Sequence, residues 1–260
     1  AMSSVFAKKK TADFSSAPED KKDTGPFLSL NPKITDSSKL GEVPSPEVLE
    51  EMKKLDPKLQ YSWAIWEQHK PSKTQKNVEY ADAMKKTVGF KTVKEFWGCW
   101  NHLPQPSELL DSKKFVREAD GERKIIDCLA IFREGVAPQW EDPKNENGGH
   151  FQLTLKPSTP PGLVDELWNN VVLGMIGGAI EPNDMLTGVR LVDKLDNKAK
   201  PHLRIEVWFD EMDEDTEKGG QGKAYDLRGS FERCIRIGLD GNQKSVSWGK
   251  TDTKGHKAAK

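Results

Sequence analysis

The stretch "VAPQWEDPKNENGGHFQLTL", residues 136–155, decides how this chain is read. Its second half, "GHFQLTL", alternates polar and apolar side chains with the period of two expected of a half-buried β-strand. Its first half is a polar loop in which Pro138 and Pro143 bracket Trp140, Glu141 and Asp142, and which ends in Gly148-Gly149. A large ring in such a loop has two readings. It is a core anchor entering a turn, or it is presented to a ligand together with a carboxylate. An ionised carboxylate accepts two hydrogen bonds side by side, which suits an N–H and an amino group offered together, as on the N1 and N2 edge of guanine. An indole beside it can stack on the same base, and a positively charged base would be favoured by both groups. An acidic, solvated turn is the plainer alternative.

The regular patterns lie to either side of this loop. "LQYSWAIWEQ" sets Tyr61, Trp63 and Ile65 on one face and Ser62, Ala64 and Trp66 on the other, as a strand does. "KTVKEFWGCWNHL" spaces Val93, Phe96, Trp97 and Trp100 for a helix, with Thr92 as its N-cap. "KIIDCLAIFREG" is strand-like. "PPGLVDELWNNVVLGMIGG" begins with proline and ends with glycine, as a helix would. "TGVRLVDK" and "HLRIEVWFDE" form a pair of strands, and "QGKAYDLRGSFERCIRIGL" gives a third helix burying Ala224, Leu227, Phe231 and Cys234. A short last strand is expected in "KSVSW". Trp63, Trp66, Trp100 and Trp168 fall within these patterns and are expected to be structural. The fold class is therefore α+β: an antiparallel sheet of about eight strands covered on one side by three helices, leaving its other face for water or a ligand.

Composition sets the limits. The chain has 260 residues, 35% hydrophobic and 31% charged, which fits a folded centre with polar ends better than uniform packing. Residues 1–54 read as a disordered extension with a short helix in "SPEVLEEMKKL" when a partner is present, 55–249 as the domain, and 250–260 as a flexible basic tail. The net charge of −1 gives no global basic field for non-specific nucleic-acid binding. Cys99, Cys128 and Cys234 are scattered and odd in number, so neither a disulfide framework nor a metal site is implied, and no cofactor is expected. The N-terminal region lacks the apolar core of a signal peptide and no long apolar run suggests a membrane. A reducing, cytoplasmic setting is expected, with nuclear residence compatible.

In "WAIWE", "FKTVKEFWGCWNHL", "FREGVAPQWEDPKNENGGHFQLTL", "LWNNVVLGMIGG" and "RIEVW", in that order, residues 57–248 resemble the eukaryotic translation initiation factor 4E family, which binds the 7-methylguanosine cap of messenger RNA. The resemblance implies a curved sheet with three helices on its convex back and a cap pocket on its concave side. It assigns Trp140 to one side of an aromatic sandwich around the base and Glu141 to reading the guanine edge. Tyr80, ten residues before Phe90, stands where the opposing tryptophan is usual. Trp208 matches a tryptophan that touches the methyl group. Arg190 and Arg204 match phosphate-binding positions, and His150 stands where a basic residue near the phosphates is common. On the convex back, Val93 and Trp97 match the site that takes a helical peptide of the scaffold factor 4G or of a 4E-binding regulator.

The sequence also departs from the family. Trp168-Asn169-Asn170 replaces the usual tryptophan–leucine–glutamate step, so Asn169 and Asn170 fall at the partner site without its apolar contact or its charge. The segment 190–204 is longer than the usual hairpin, and the loop after Trp248 is short, with Lys250 and Lys254 within reach of phosphates. The chain reads as a divergent paralogue and not as an enzyme. A hydrolase using Glu141 and Asp142 is disfavoured, because adjacent residues on extended chain point apart and no nucleophile or phosphate-cradling motif accompanies them. An interaction module that keeps the fold but has lost the pocket is the alternative from another class.

Overall fold

The computed structural model describes residues 46–70, 84–119, 121–213, 221–238, 242–243 and 251–256. Among the described residues, four α-helices, α1 (Pro46–Lys54), α2 (Val93–Trp100), α3 (Pro161–Ile176) and α4 (Lys223–Arg236), accompany eight strands. These are β1 (Lys58–His69), β2 (Met84–Thr92), β3 (Phe115–Ala119), β4 (Glu122–Arg133), β5 (Gly149–Leu155), β6 (Leu186–Lys194), β7 (His202–Phe209) and β8 (Asp252–Gly255). They form one curved antiparallel sheet in the order β2-β1-β4-β6-β7-β5-β8, with β3 paired to β4.

Alternation along the strands sorts side chains onto two faces. Trp63 and Ile65 of β1, Leu129 and Ile131 of β4, Phe151, Leu153 and Leu155 of β5, and Leu203, Ile205, Val207 and Phe209 of β7 all enter one continuous core. The helices complete it, with Phe96 and Trp100 from α2, Leu167, Trp168, Val171 and Met175 from α3, and Ala224, Leu227, Phe231 and Cys234 from α4. The side chains of one residue further along each strand point the other way. There a smaller cluster of Met84, Cys128, Ala130, Phe132, Val192 and Trp208 forms, with the half-buried Trp66 packed against it. Thr92 caps α2 as its position suggests, accepting the Glu95 N–H at 3.2 Å.

Pro46–Lys54, within the "SPEVLEEMKKL" read as a short helix, is helical ahead of β1, with proline at its start and Glu47 in the first turn. Residues 1–45 lie outside the described residues. The supposed tail at 250–260 supplies β8, whose Asp252–Gly255 pair with Gly149–Gln152 and which delivers His256 to a buried site. Strand pairing through backbone groups is not announced by a Thr/Lys/Gly composition. The strand expected in "KSVSW" lies outside the described residues, and the sequence reading has no counterpart for β2, which pairs with β1, or for β3, which pairs with β4.

Candidate functional site

The loop 136–148 is tied together by its own side chains. The Asp142 carboxylate accepts the Ala137 N–H at 2.7 Å and the Lys144 N–H at 2.9 Å. The fully buried Asn145 donates its amide to the carbonyls of Ala137 (2.8 Å) and Gln139 (2.9 Å). Gly148 then lets the chain pass close to β7, since a Cβ there would lie 1.8 Å from the Phe209 carbonyl oxygen. With both ends of the loop tied down, Trp140 is held out of the core and is 54% exposed, and Glu141 beside it is exposed as well. Of the acidic pair, Asp142 builds the loop and Glu141 faces outward.

Trp140 and Glu141 stand at the rim of a cleft of about 520 Å³ on the face opposite the helices. Its remaining lining is Gln68 of β1, His150 and Gln152 of β5, Arg190, Val192 and Lys194 of β6, Arg204 and Glu206 of β7, and Lys254 of β8. Register explains the gathering. His150 pairs with Trp208, Gln152 with Glu206 and Thr154 with Arg204 across β5 and β7, while Arg190 lies opposite Glu206 and Val192 opposite Arg204 across β6 and β7. A wider trough of about 1190 Å³ lies between the turn after α3 and α4, around Glu181, Asp184, Tyr225 and Arg233. It offers mixed surface charge and is remote from the rim carrying Trp140.

Under the rim is a column of rings. His256 lies 6.2 Å from Trp140, nearly parallel at 17°, and 4.3 Å from Trp208, while His150 stacks on Trp208 at 5.6 Å. The tautomers follow from the hydrogen bonds. A carbonyl can only accept, so His256 Nδ1 donates to Asn145 O at 2.8 Å. With the rings uncharged, His256 Nε2 is an acceptor, and His150 Nδ1 donates to it at 3.1 Å. Burial is the main reason the His150 pKa falls to about 4; His256, Arg204 and Lys254 reinforce it against the pull of Glu206. His256 is lowered too, again chiefly by burial.

Glu206 ties the floor together. Trp208 Nε1 donates to it at 3.0 Å, Arg204 Nε lies 2.6 Å away without hydrogen-bond geometry, and Arg190 Nε lies at 3.7 Å. Burial by itself would raise this carboxyl, but Arg190 foremost, with Arg204 and the indole N–H, outweighs it and holds the pKa below the ordinary range. Arg190 is buried, donates to the Cys128 sulfur at 3.4 Å and lies over the Trp208 ring.

The structure thus brings Trp140, Glu141, His150, Arg190 and Arg204 to one cleft, and alters what several of them can do. Trp208 is fully buried beneath His150 and His256, so it supports the site instead of forming its surface. His150 is a buried neutral ring and not a cation. Arg190 is engaged in the floor. Tyr80 lies outside the described residues. Sequence reasoning did not select Gln68, Gln152, Lys194, Glu206 or His256. All but His256 are legible as alternate positions of the strands read above, and His256 lies in the segment whose composition reads as a tail.

On the helix face, Trp97 is 42% exposed and Val93 is half-buried one turn earlier. Asn169 is half-buried and donates to Gln105 Oε1 at 3.3 Å. Asn170 corrects the expectation for it. It is buried, and its amide donates to the Ile237 carbonyl at 2.8 Å, tying α3 to the end of α4. The polar side chain pays for its burial with that bond and offers nothing to a partner.

Comparison with known proteins agrees with this geometry. The family profile described as eukaryotic initiation factor 4E matches residues 58–257. The chain belongs to that family. It is 31% identical over 150 residues to eukaryotic translation initiation factor 4E-2 of Schizosaccharomyces pombe, covering 58% of this chain and 52% of that protein. With eukaryotic translation initiation factor 4E of Eremothecium gossypii it shares 30% over 164 residues, covering 62% and 67%. It thus spans about half the length of the first of these relatives. Among solved structures, Ascaris suum eIF4E-3 in complex with an m2,2,7G cap superposes with a TM-score of 0.54 at 18% identity, over 76% of this chain and 98% of that one. Caenorhabditis elegans eIF4E-3 with the 4E-binding protein Mextli and cap analog gives 0.53 at 20% identity, over 71% and 88%. At such identities the superpositions establish the family's fold.

Proposed function

We propose that this chain binds the 7-methylguanosine 5′ cap of messenger RNA and acts in translation initiation or its regulation. The observation that carries this reading is the exposed Trp140 fixed beside the exposed Glu141 at the rim of a cleft that also holds the exposed Lys194 and Lys254. The indole stacks on the methylated base, whose positive charge favours the π-face. The Glu141 carboxylate accepts the N1 and N2 hydrogens of guanine. Tyr80 remains the candidate for the opposite wall. Lys194 and Lys254 are exposed on the cleft, and with Arg204 they take the phosphates, a role that the neutral His150 cannot share. Trp208, buried under the histidines, acts from beneath. The solved complexes of Ascaris suum eIF4E-3 with an m2,2,7G cap and of Caenorhabditis elegans eIF4E-3 with cap analog support the same reading.

Retention on 7-methyl-GTP resin tests it. Wild-type protein should bind and be released by free cap analogue but not by GTP, and Glu141→Ala should lose retention. Two charge-assisted hydrogen bonds to the base make the expected loss about 100-fold or more. Undiminished retention of the Glu141→Ala protein would sink the assignment.

The exposed Trp97 favours a second surface, for a helical peptide of a 4G-like scaffold or a 4E-binding regulator. With Asn170 turned inward, such a peptide rests on Val93 and Trp97, with only the edge of Asn169. Capture of this peptide by protein that ignores the cap resin would instead support a pure interaction module.

A further inference from the structure

We propose that Gln152 reads the sugar of the bound nucleotide, an inference that rests on the cap-binding reading above. The cross-strand register lays the cleft floor out in rows. The first holds His150 and Trp208, the second Gln152, Glu206 and Arg190, the third Thr154, Arg204 and Val192. Rows on one face are two residues apart, about 6.8 Å along an antiparallel strand. The first row lies under the ring column that supports Trp140, and so under the base. Arg204 in the third row, and Lys194 two residues beyond Val192 on β6, lie toward the phosphates. In any nucleotide the sugar joins base to phosphate, so the second row is where it falls.

That row contains an acceptor without a donor. Gln152 is only 8% exposed, and its Nε2 donates to Thr154 Oγ1 at 3.1 Å. Its Oε1 has no hydrogen-bond partner among the described residues, and Gln152 lines the cleft. A buried carbonyl in this state is costly unless a donor reaches it. The neighbouring carboxylate does not compete for the role, because Glu206 is occupied by Trp208, Arg204 and Arg190. An amide oxygen only accepts, so its complement is an O–H of the ribose, at the 2′ or 3′ carbon. The cleft then recognises three parts of its ligand separately: the base by Trp140 and Glu141, the sugar by Gln152, and the phosphates by Arg204 and the lysines.

The test compares wild type and Gln152→Leu in tryptophan-fluorescence titrations with 7-methyl-GTP and its 2′-deoxy and 3′-deoxy counterparts. Wild type should bind one of the deoxy ligands about three- to tenfold more weakly than the ribose ligand. Gln152→Leu should bind the ribose ligand weaker by a similar factor and no longer distinguish the deoxy form. Equal wild-type affinity for all three ligands overturns the proposal while leaving cap binding intact. So does discrimination that persists in Gln152→Leu. Failure of wild type to bind 7-methyl-GTP at all would overturn the cap-binding reading and this one with it.

Discussion

On β7, Ile205, Val207 and Phe209 lie in the helix-side core, while Arg204, Glu206 and Trp208, each one step away, belong to the cleft side. The same division runs through β5, where Phe151 and Leu153 seal one face and His150 and Gln152 floor the other. The two faces share every backbone hydrogen bond and differ only in what the alternate side chains bring. One face is apolar and closed by α2, α3 and α4. The other buries charges and polar groups and has to satisfy them with one another. Stability is concentrated on the first and recognition on the second, and substitutions should separate them.

The largest effect on folding is expected on the closed face. Phe151 is fully buried between Phe209 and Phe231, and Phe151→Ala should cost about 3–5 kcal/mol, read by denaturant unfolding, with cap affinity of the folded fraction retained. A fall in affinity as large as the fall in stability would mean that the faces are not separable.

Acid should act on the open face instead. The folded-state pKa of His150, about 4, lies below its unfolded value near 6.5, so the stability it contributes is complete above pH 6.5 and is lost as pH falls toward 4. On the linkage argument this amounts to an order of about 3 kcal/mol. The lowered His256 and the depressed Glu206 act with the same sign. Unfolding free energy measured across this range should decline steeply in wild type and more gently in His150→Phe, which keeps the ring over Trp208. Identical slopes would show that the histidine column is not what acid attacks.

The loop that carries Trp140 gives a smaller, sharper comparison. Asp142→Ala frees two backbone N–H groups and should cost about 1–3 kcal/mol of stability. It should also weaken cap binding, although Asp142 is not among the residues lining the cleft. Unchanged affinity in a destabilised Asp142→Ala protein would show that the presentation of Trp140 does not depend on the loop's internal bonds.

Much of this arrangement is legible in the sequence because its signals are local and periodic. Alternation in "GHFQLTL" assigns Phe151 and Gln152 to opposite faces, the helical spacing of 93–100 and 223–236 is correct, and the two prolines mark the exposed loop. Other features left no local trace. β2 shows no alternation because Lys85 to Gly89 are all exposed. β8 is held by backbone pairing, to which composition is blind. That Trp208 and His150 are covered, and that His256 covers Trp208 and backs Trp140, depends on β8 joining β5 from far along the chain, with His150 and His256 106 positions apart, a long-range fact no window of residues contains. Asn170 reads in the sequence as a lost surface contact because its partner, the Ile237 carbonyl, lies on a different element.

The central claim is that Trp140 and Glu141 are presented together to a methylated guanine. Its most direct measurement is the quenching of tryptophan fluorescence by 7-methyl-GTP and by GTP, in wild type and in Trp140→Ala. The account predicts saturable quenching by the methylated nucleotide, far weaker response to GTP, and loss of the response in Trp140→Ala. Equal quenching by both nucleotides, or a full response without Trp140, would contradict it.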